Sequence, residues 1–326
     1  MSHFNVVVVG PDFEGQLAAY QENNNLDCPQ EYLEFDDCTE EYLSEYETGK
    51  IQLVELADGS RYARHDARFR VAKPGDPFAT CGTVYPDGAK EIEVPFTEHY
   101  ATFGEFAEKE NGADQGSPGR YGYWFNPDAK WDWYMVGGRW RGFFRLKANA
   151  VGDYGDSFSN TPPTDPNHAD IVCKGDVDFE YSRQAAEDSA RKSHREVMAT
   201  CGHLMDEYQS WEAIRDSGIG IEEAREKYHG QPVVKAFKST EIGKWSFLLT
   251  VDNFMVTEEA YCRAARDSAL VPYAVVMDGI WYQKGEMGWF GMATDEKPQA
   301  EWNRSYWELM ESLPDDALLT LVDCHI

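Results

Sequence analysis

The chain has 326 residues, 42% of them hydrophobic, with 58 acidic against 30 basic side chains and a formal net charge of −28. That length and apolar content supply a substantial core for one large domain or two ordinary ones. The charge opposes encounter with free duplex DNA or an anionic membrane over the chain as a whole, and suits either a surface tuned for solubility or a mimic of nucleic acid.

His3 to Gly10, a β-branched run ending in Gly-Pro, reads as a buried strand. Asp37 and Glu40 are placed to cap a helix running through Tyr42, Leu43 and Tyr46. Ile51–Ala57 and Arg61–Val71 flank Asp58-Gly59, a dipeptide that accepts the positive φ of a tight hairpin turn. Pro86-Asp87-Gly88 supplies a second turn between Gly82–Tyr85 and Ala89–Phe96. Residues 1–150 therefore read as a β-rich α+β region. From 151 to 175 the composition shifts to Gly, Pro, Asp, Asn and Ser, including Thr161-Pro162-Pro163, which predicts a long loop or linker.

Residues 176–326 read as a helical segment followed by a second α+β region, forming either a separate domain or one domain with 1–150. Phe179–Trp211 carries Val197, Met198, Cys201, Leu204, Met205 and Tyr208 on a helical stripe, and Ile221–Tyr228 is a second helix. Trp245–Val251 reads as a strand, and Thr257–Ser268 as a helix with Thr257 as N-cap. Pro272–Met277 and Ile280–Lys284 flank another Asp-Gly turn at Asp278-Gly279. Glu301–Ser312 reads as a helix and Leu318–Ile326 as a closing strand that shares a sheet with His3–Val9, both being continuous apolar runs. The fold class expected is α+β, with a mixed or antiparallel sheet and hairpins in its N-terminal part.

The segment Arg120–Lys147 holds six basic residues against two aspartates and ten aromatic residues among its 28. Flat rings, the pair Gly137-Gly138 and forked cations are the parts needed to hold a planar anion. If Trp131–Met135 is a strand, Asp132 and Tyr134 share one face and Trp131, Trp133 and Met135 the other. Asp132, Tyr134, Arg139, Trp140 and Arg141 are thus candidate ligand-binding residues, and Arg139, nearest the glycines, is the one expected to face the ligand. Arg64 and Arg68 alternate along Arg61–Lys73 and extend the candidate set. The competing reading is a Trp-rich core with arginines stacked on rings and paired to surplus acids.

Metal chemistry is weighed at Cys201-x-His203 with His194, and at Cys324-His325 with His3, but neither has the spacing of a closed zinc site, so no metal ligands are assigned. Adjacent strand residues point to opposite faces, which keeps Cys324 and His325 from one ion. No serine-nucleophile elbow, Walker loop, dinucleotide loop or HExxH motif occurs, and no cofactor or catalytic residue is assigned. Cys324, between Asp323 and His325, is the cysteine to watch as a nucleophile, against the ordinary role of a buried strand thiol. The seven cysteines, without a Cys-x-x-Cys pair, fit free thiols in a reducing compartment. The opening residues carry only a four-valine run, and no apolar run approaches the roughly 20 residues of a spanning helix, so a cytosolic location is expected.

SHFNVVVVG at the start, KWDWYMVGGRWRGFF in the middle, MGWFG at Met287–Gly291 and LLTLVDCHI at the end together make the chain resemble an uncharacterised family of proteins from tailed bacteriophages and some bacterial genomes. The resemblance covers nearly the whole chain and implies an accessory protein made in the host bacterial cytoplasm. It carries no established activity and no functional residues. Phage genes of this kind often serve host takeover or counter-defence, an association rather than a mechanism. The first reading is a protein that acts by binding, sequestering a nucleotide-like anion or blocking a host protein. The alternative is an enzyme acting on a nucleotide or nucleic-acid group, with the same arginines as anion clamps and a histidine or carboxylate as acid or base.

Overall fold

Six strands make the largest sheet, and both ends of the sequence lie at its centre. The strands are β1 (His3–Val9), β2 (Trp133–Val136), β3 (Ile171–Cys173), β4 (Ala274–Met277), β5 (Ile280–Gln283) and β6 (Leu318–His325). In the computed structural model, which describes residues 2–72, 81–156, 164–245, 249–288 and 292–326, they run β2-β6-β1-β4-β5, with β3 also paired to β6. β1 is antiparallel to β6 from His3↔His325 to Val9↔Leu319 and parallel to β4 from Val6↔Ala274 to Val9↔Met277. The two terminal runs thus pair in one sheet, as their apolar character required. The fold is α+β.

Alternation sorts the sheet's side chains between two cores. Phe4, Val6, Val8, Ala274, Val276, Val322 and Cys324 pack with Leu17 of α1 (Phe13–Ala18) and with Trp131. Val7, Val9, Val275, Leu319 and Leu321 pack with Trp302, Tyr306 and Met310 of α4 (Gln299–Ser312). Both faces are covered, which is why the valine run shows no polar alternation. Each fully buried Val or Leu contributes roughly 1.5–3 kcal/mol.

A third core is helical. Val197 and Cys201 of α2 (Phe179–Cys201) pack with Met205, Ile214, Ala224, Tyr228, Phe237 and Phe254. The stripe bends into a 3-10 turn at Gly202–Glu207, and Met198 stays exposed. Helix α3 (Glu258–Ser268) is capped by Thr257, whose hydroxyl accepts the Ala260 N–H. α3 is joined to α2 by Glu258, which accepts hydrogen bonds from Arg191 and Arg195.

The chain divides into two compact units, Met1–Gln21 with Ala129–Ile326, and Glu22–Asp128. This differs from a division at 151–175. β1 and β2 belong with the C-terminal strands, and the described part of 151–175 is built into the first unit, where Asp153 N–H donates to Ile171 O and His168–Ala169 pairs with Phe144–Arg145. Thr161-Pro162-Pro163 lies outside the described residues, as do the last three of Met287–Gly291.

In the second unit Lys50–Glu55 pairs with Arg61–Ala63 around Gly59, at φ +82°, and with Lys90–Pro95 on its other edge. Glu34–Asp37 and Asp114–Ser117 flank Arg120–Phe125 in a second sheet, and Phe96, Tyr100 and Phe106 form the core.

Several local expectations are corrected. Pro86-Asp87-Gly88 is a turn but not a hairpin, because Cys81–Thr83 pairs with Arg70–Ala72 and Lys90–Pro95 with Lys50–Glu55. The strand expected over 61–71 stops at Ala63, where Asp66 caps a 3-10 turn at Ala67–Phe69. Asp37 accepts from the Thr39 N–H and hydroxyl rather than forming a box with Glu40. Trp245 ends a helix and Val251 begins a 3-10 turn, so neither end of the strand expected over Trp245–Val251 is extended; 246–248 lie outside the described residues. Among the described residues no helix is long and apolar enough to cross a membrane.

Candidate functional site

Gly137 and Gly138, at φ +77° and +51°, end β2 in a backbone conformation that favours glycine. A Cβ on Gly137 would collide with the carboxylate of Asp170, and one on Gly138 with Asp323. The glycines therefore make room for two carboxylates of the protein itself, both fully buried. Asp170 accepts the Gly142 N–H at 2.5 Å and the Gly155 N–H at 3.0 Å. Burial pushes its carboxyl up from the ordinary range, while these N–H donors, the Phe143 N–H and the Arg141 charge pull it back. The nest that the glycines suggest for a ligand anion is filled from within at Asp170.

Asp323 organises the other side. Its Oδ2 accepts the Arg139 N–H at 2.8 Å, and its Oδ1 accepts the His3 Nδ1–H at 2.8 Å. The register places Trp133, His325 and His3 in one row across β2, β6 and β1, with Met135, Asp323 and Asn5 in the next row of the same face. His325 donates through Nδ1 to Asp132 Oδ1 at 2.5 Å. The two imidazoles meet edge to face, 4.9 Å between centroids, and Trp133 stacks on His325 at 5.1 Å. This face thus carries two carboxylate–imidazole pairs side by side.

Each carboxylate fixes the tautomer and orientation of its ring through Nδ1 and leaves Nε2 outside that bond. The His325 side chain is 6% exposed, and its Nε2 is buried with no hydrogen-bond partner. Held this way, a ring donates Nε2–H to an oxyanion when protonated and accepts a proton there when neutral. That is the chemical repertoire of an anion site and of an acid–base pair.

Of the residues expected to form a site, the structure brings Asp132 and the backbone N–H of Arg139 to the histidine pair and disperses the others. The guanidinium of Arg139 is exposed and pairs with no acid among the described residues. Tyr134 is on the opposite face, 5.0 Å from Trp131 and packed toward Phe13, and burial there raises its phenol. Asp132 and Tyr134 do not share a face because the strand begins only at Trp133. Lys130 and Trp131 are tied to Tyr20 O, and the Trp131 indole donates to Leu17 O, which turns it to Tyr134's side. Trp140 packs against the α4 core. Arg141 lies over the Tyr154 ring at 4.9 Å, with Nε buried and unpartnered.

Arg64 and Arg68 belong to the other unit and are satisfied there. Arg64 pairs with Glu91 at 3.2 Å, and Arg68 pairs with Asp66 and covers the Tyr62 ring at 3.4 Å. Alternation fails because the backbone turns at 67–69.

Asp170 escaped the sequence reading; Asp323 and His325 stood out only as neighbours of Cys324, and His3 and His325 only as metal ligands, not as a carboxylate–imidazole pair. One signal was available: Asp323 is an acid within a run that reads as a buried strand, a placement that demands dedicated partners. Among the described residues no three His, Cys, Asp or Glu side chains are grouped as metal ligands. His194 Nε2 lies 3.1 Å from Val256 O, and Cys201 is in the helical core. Cys324 faces the α1 core, away from His325, and its thiol is pushed well up by burial and by Asp323.

No family model, no curated protein and no solved structure matches the chain.

Proposed function

We propose that this is a phage-encoded accessory protein of the host cytoplasm that acts by binding a nucleotide-like, phosphate-bearing anion. The site is the His3–His325 end of the central sheet, with Arg139 as the clamp. One observation carries the reading: the buried Asp323 holds both His3 and the backbone of Arg139, whose guanidinium has no described acid partner. In a chain with this excess of acid, an arginine anchored at its backbone and left unpaired at its head is available to an exogenous oxyanion. Native mass spectrometry of protein taken from infected cells tests it. A retained mass of nucleotide size supports the reading, and a host protein bound to a nucleotide-free chain turns it toward protein blocking.

The alternative, an enzyme acting on a nucleotide or nucleic-acid phosphate, is favoured by the second carboxylate–imidazole pair, because two oriented rings can give and take a proton across one reaction. Release of product from a chromogenic phosphodiester, lost in both His3→Asn and His325→Asn, would select that reading. An unchanged rate in either variant would reject it.

A further inference from the structure

Helices α2, α3 and α4 enclose a second feature, away from the histidines: a cavity of about 440 Å³ bounded by Arg183, Asp267, Asn303, Arg304, Trp307 and Glu311. Its volume falls in the range of small-molecule sites. Its wall is braced. Asn303 is buried, donates from Nδ2 to Ser268 Oγ at 2.9 Å and accepts from Gln299 at 2.7 Å. The Trp307 indole donates to Asp267 O at 2.9 Å, Phe179 meets its ring edge to face, and Arg183, one turn along α2, lies over it at 4.8 Å.

Two features of this cavity are unresolved by the protein's own contacts. Arg183 donates from one terminal nitrogen to Asp267 at 3.2 Å, but its Nε is buried without an acceptor. The Arg183 side chain is nevertheless 27% exposed and lines the cavity, so its remaining terminal N–H groups are open to an acceptor there. Arg304 stands exposed on the rim, one turn before Trp307, and pairs with no acid among the described residues. The remaining acid, Glu311, is seven residues further along α4, roughly 10 Å along its axis. The Arg183–Arg304 end of the cavity is therefore its cationic end, next to an indole.

We infer that this cavity is a binding site for a small planar organic anion, an aromatic carboxylate or an aromatic phosphate monoester, with its charged head between the guanidinium groups of Arg183 and Arg304 and its ring toward Trp307. Guanidinium groups recognise both heads through paired N–H donors.

The test is calorimetric titration of benzoate and of phenyl phosphate, which separates the two heads, into the full chain and its variants. One probe is expected to saturate a single site, and Arg304→Gln, on an exposed position, is expected to weaken it at least about tenfold, equivalent to about 1.4 kcal/mol. Arg183→Lys, which keeps the charge and loses the fork, should weaken it likewise, while Arg139→Ala leaves it unchanged, so this site and the histidine site fail or stand separately. Absence of saturation by both probes at about 10 mM, or wild-type affinity in Arg304→Gln, overturns the inference.

Discussion

Replacing Gly138 by alanine separates a pair of glycines that admits internal carboxylates from one that admits a ligand. At φ +51° a non-glycine residue costs about 1–2 kcal/mol on conformational grounds alone. The added Cβ also collides with the Asp323 side chain, which is fully buried and holds His3 and the Arg139 N–H. Displacing it loses at least one charged hydrogen bond, about 1.5–3 kcal/mol. The total, about 2.5–5 kcal/mol, lowers the melting temperature of a unit of this size by roughly 5–20 °C. Gly279→Ala is the control: it has φ +75° in the same unit, with nothing within 4 Å of the added carbon, so only the conformational cost applies. Thermal melts by circular dichroism should place Gly138→Ala several degrees below Gly279→Ala. Equal melts would refute the assignment of Gly138 to Asp323.

Glu258 provides a pH-dependent prediction. Hydrogen bonds from Arg195, and then from Arg191, hold its carboxyl down at about 2. A lowered acid contributes stability in full above its unfolded value, near 4.5, and loses it as pH falls toward the folded value. Glu258→Gln should therefore be less stable than wild type near neutrality, with the difference closing between those values, and parallel stability curves from pH 7 to pH 2 would contradict this. Thiol titration of freshly prepared, denatured protein should count all seven cysteines, and five or fewer would contradict the reducing-compartment reading. In the native protein Cys38 should react before Cys324, which is fully buried with its thiol pushed well up. Deleting residues 318–326 removes the strand between β1 and β2 and should leave the chain insoluble; a soluble truncation with an unchanged melt would contradict the sheet order.

What the sequence made legible was local. Asp278-Gly279 takes positive φ at both residues, Thr257 caps its helix through its own hydroxyl, and the valine run is buried on both faces. Each follows from a few neighbouring side chains. Pairing was legible only in part: the terminal runs and the strands around Asp278-Gly279 pair as expected, but Lys90–Pro95 chose Lys50–Glu55 over the nearer Cys81–Thr83 by contacts made across the fold. The site was half legible for the same reason. Aromatic rings, glycines and arginines drew attention to Arg120–Lys147, but the carboxylates that explain the glycines come from positions 170 and 323, and His3 reaches Asp323 only because the termini pair. The break before Trp133, set by Tyr20 O and Leu17 O, reversed the faces assigned to Trp131 and Asp132.

The binding account stands most directly on Arg139. Its side chain is exposed, and its N–H to Asp323 survives in alanine, so Arg139→Ala should melt with wild-type protein. Calorimetric titration with adenosine monophosphate should show saturable binding in wild type and a loss of roughly tenfold or more in the variant, since a charged hydrogen bond contributes about 1.5–3 kcal/mol. A marked drop in melting temperature with affinity retained by the folded fraction would contradict it.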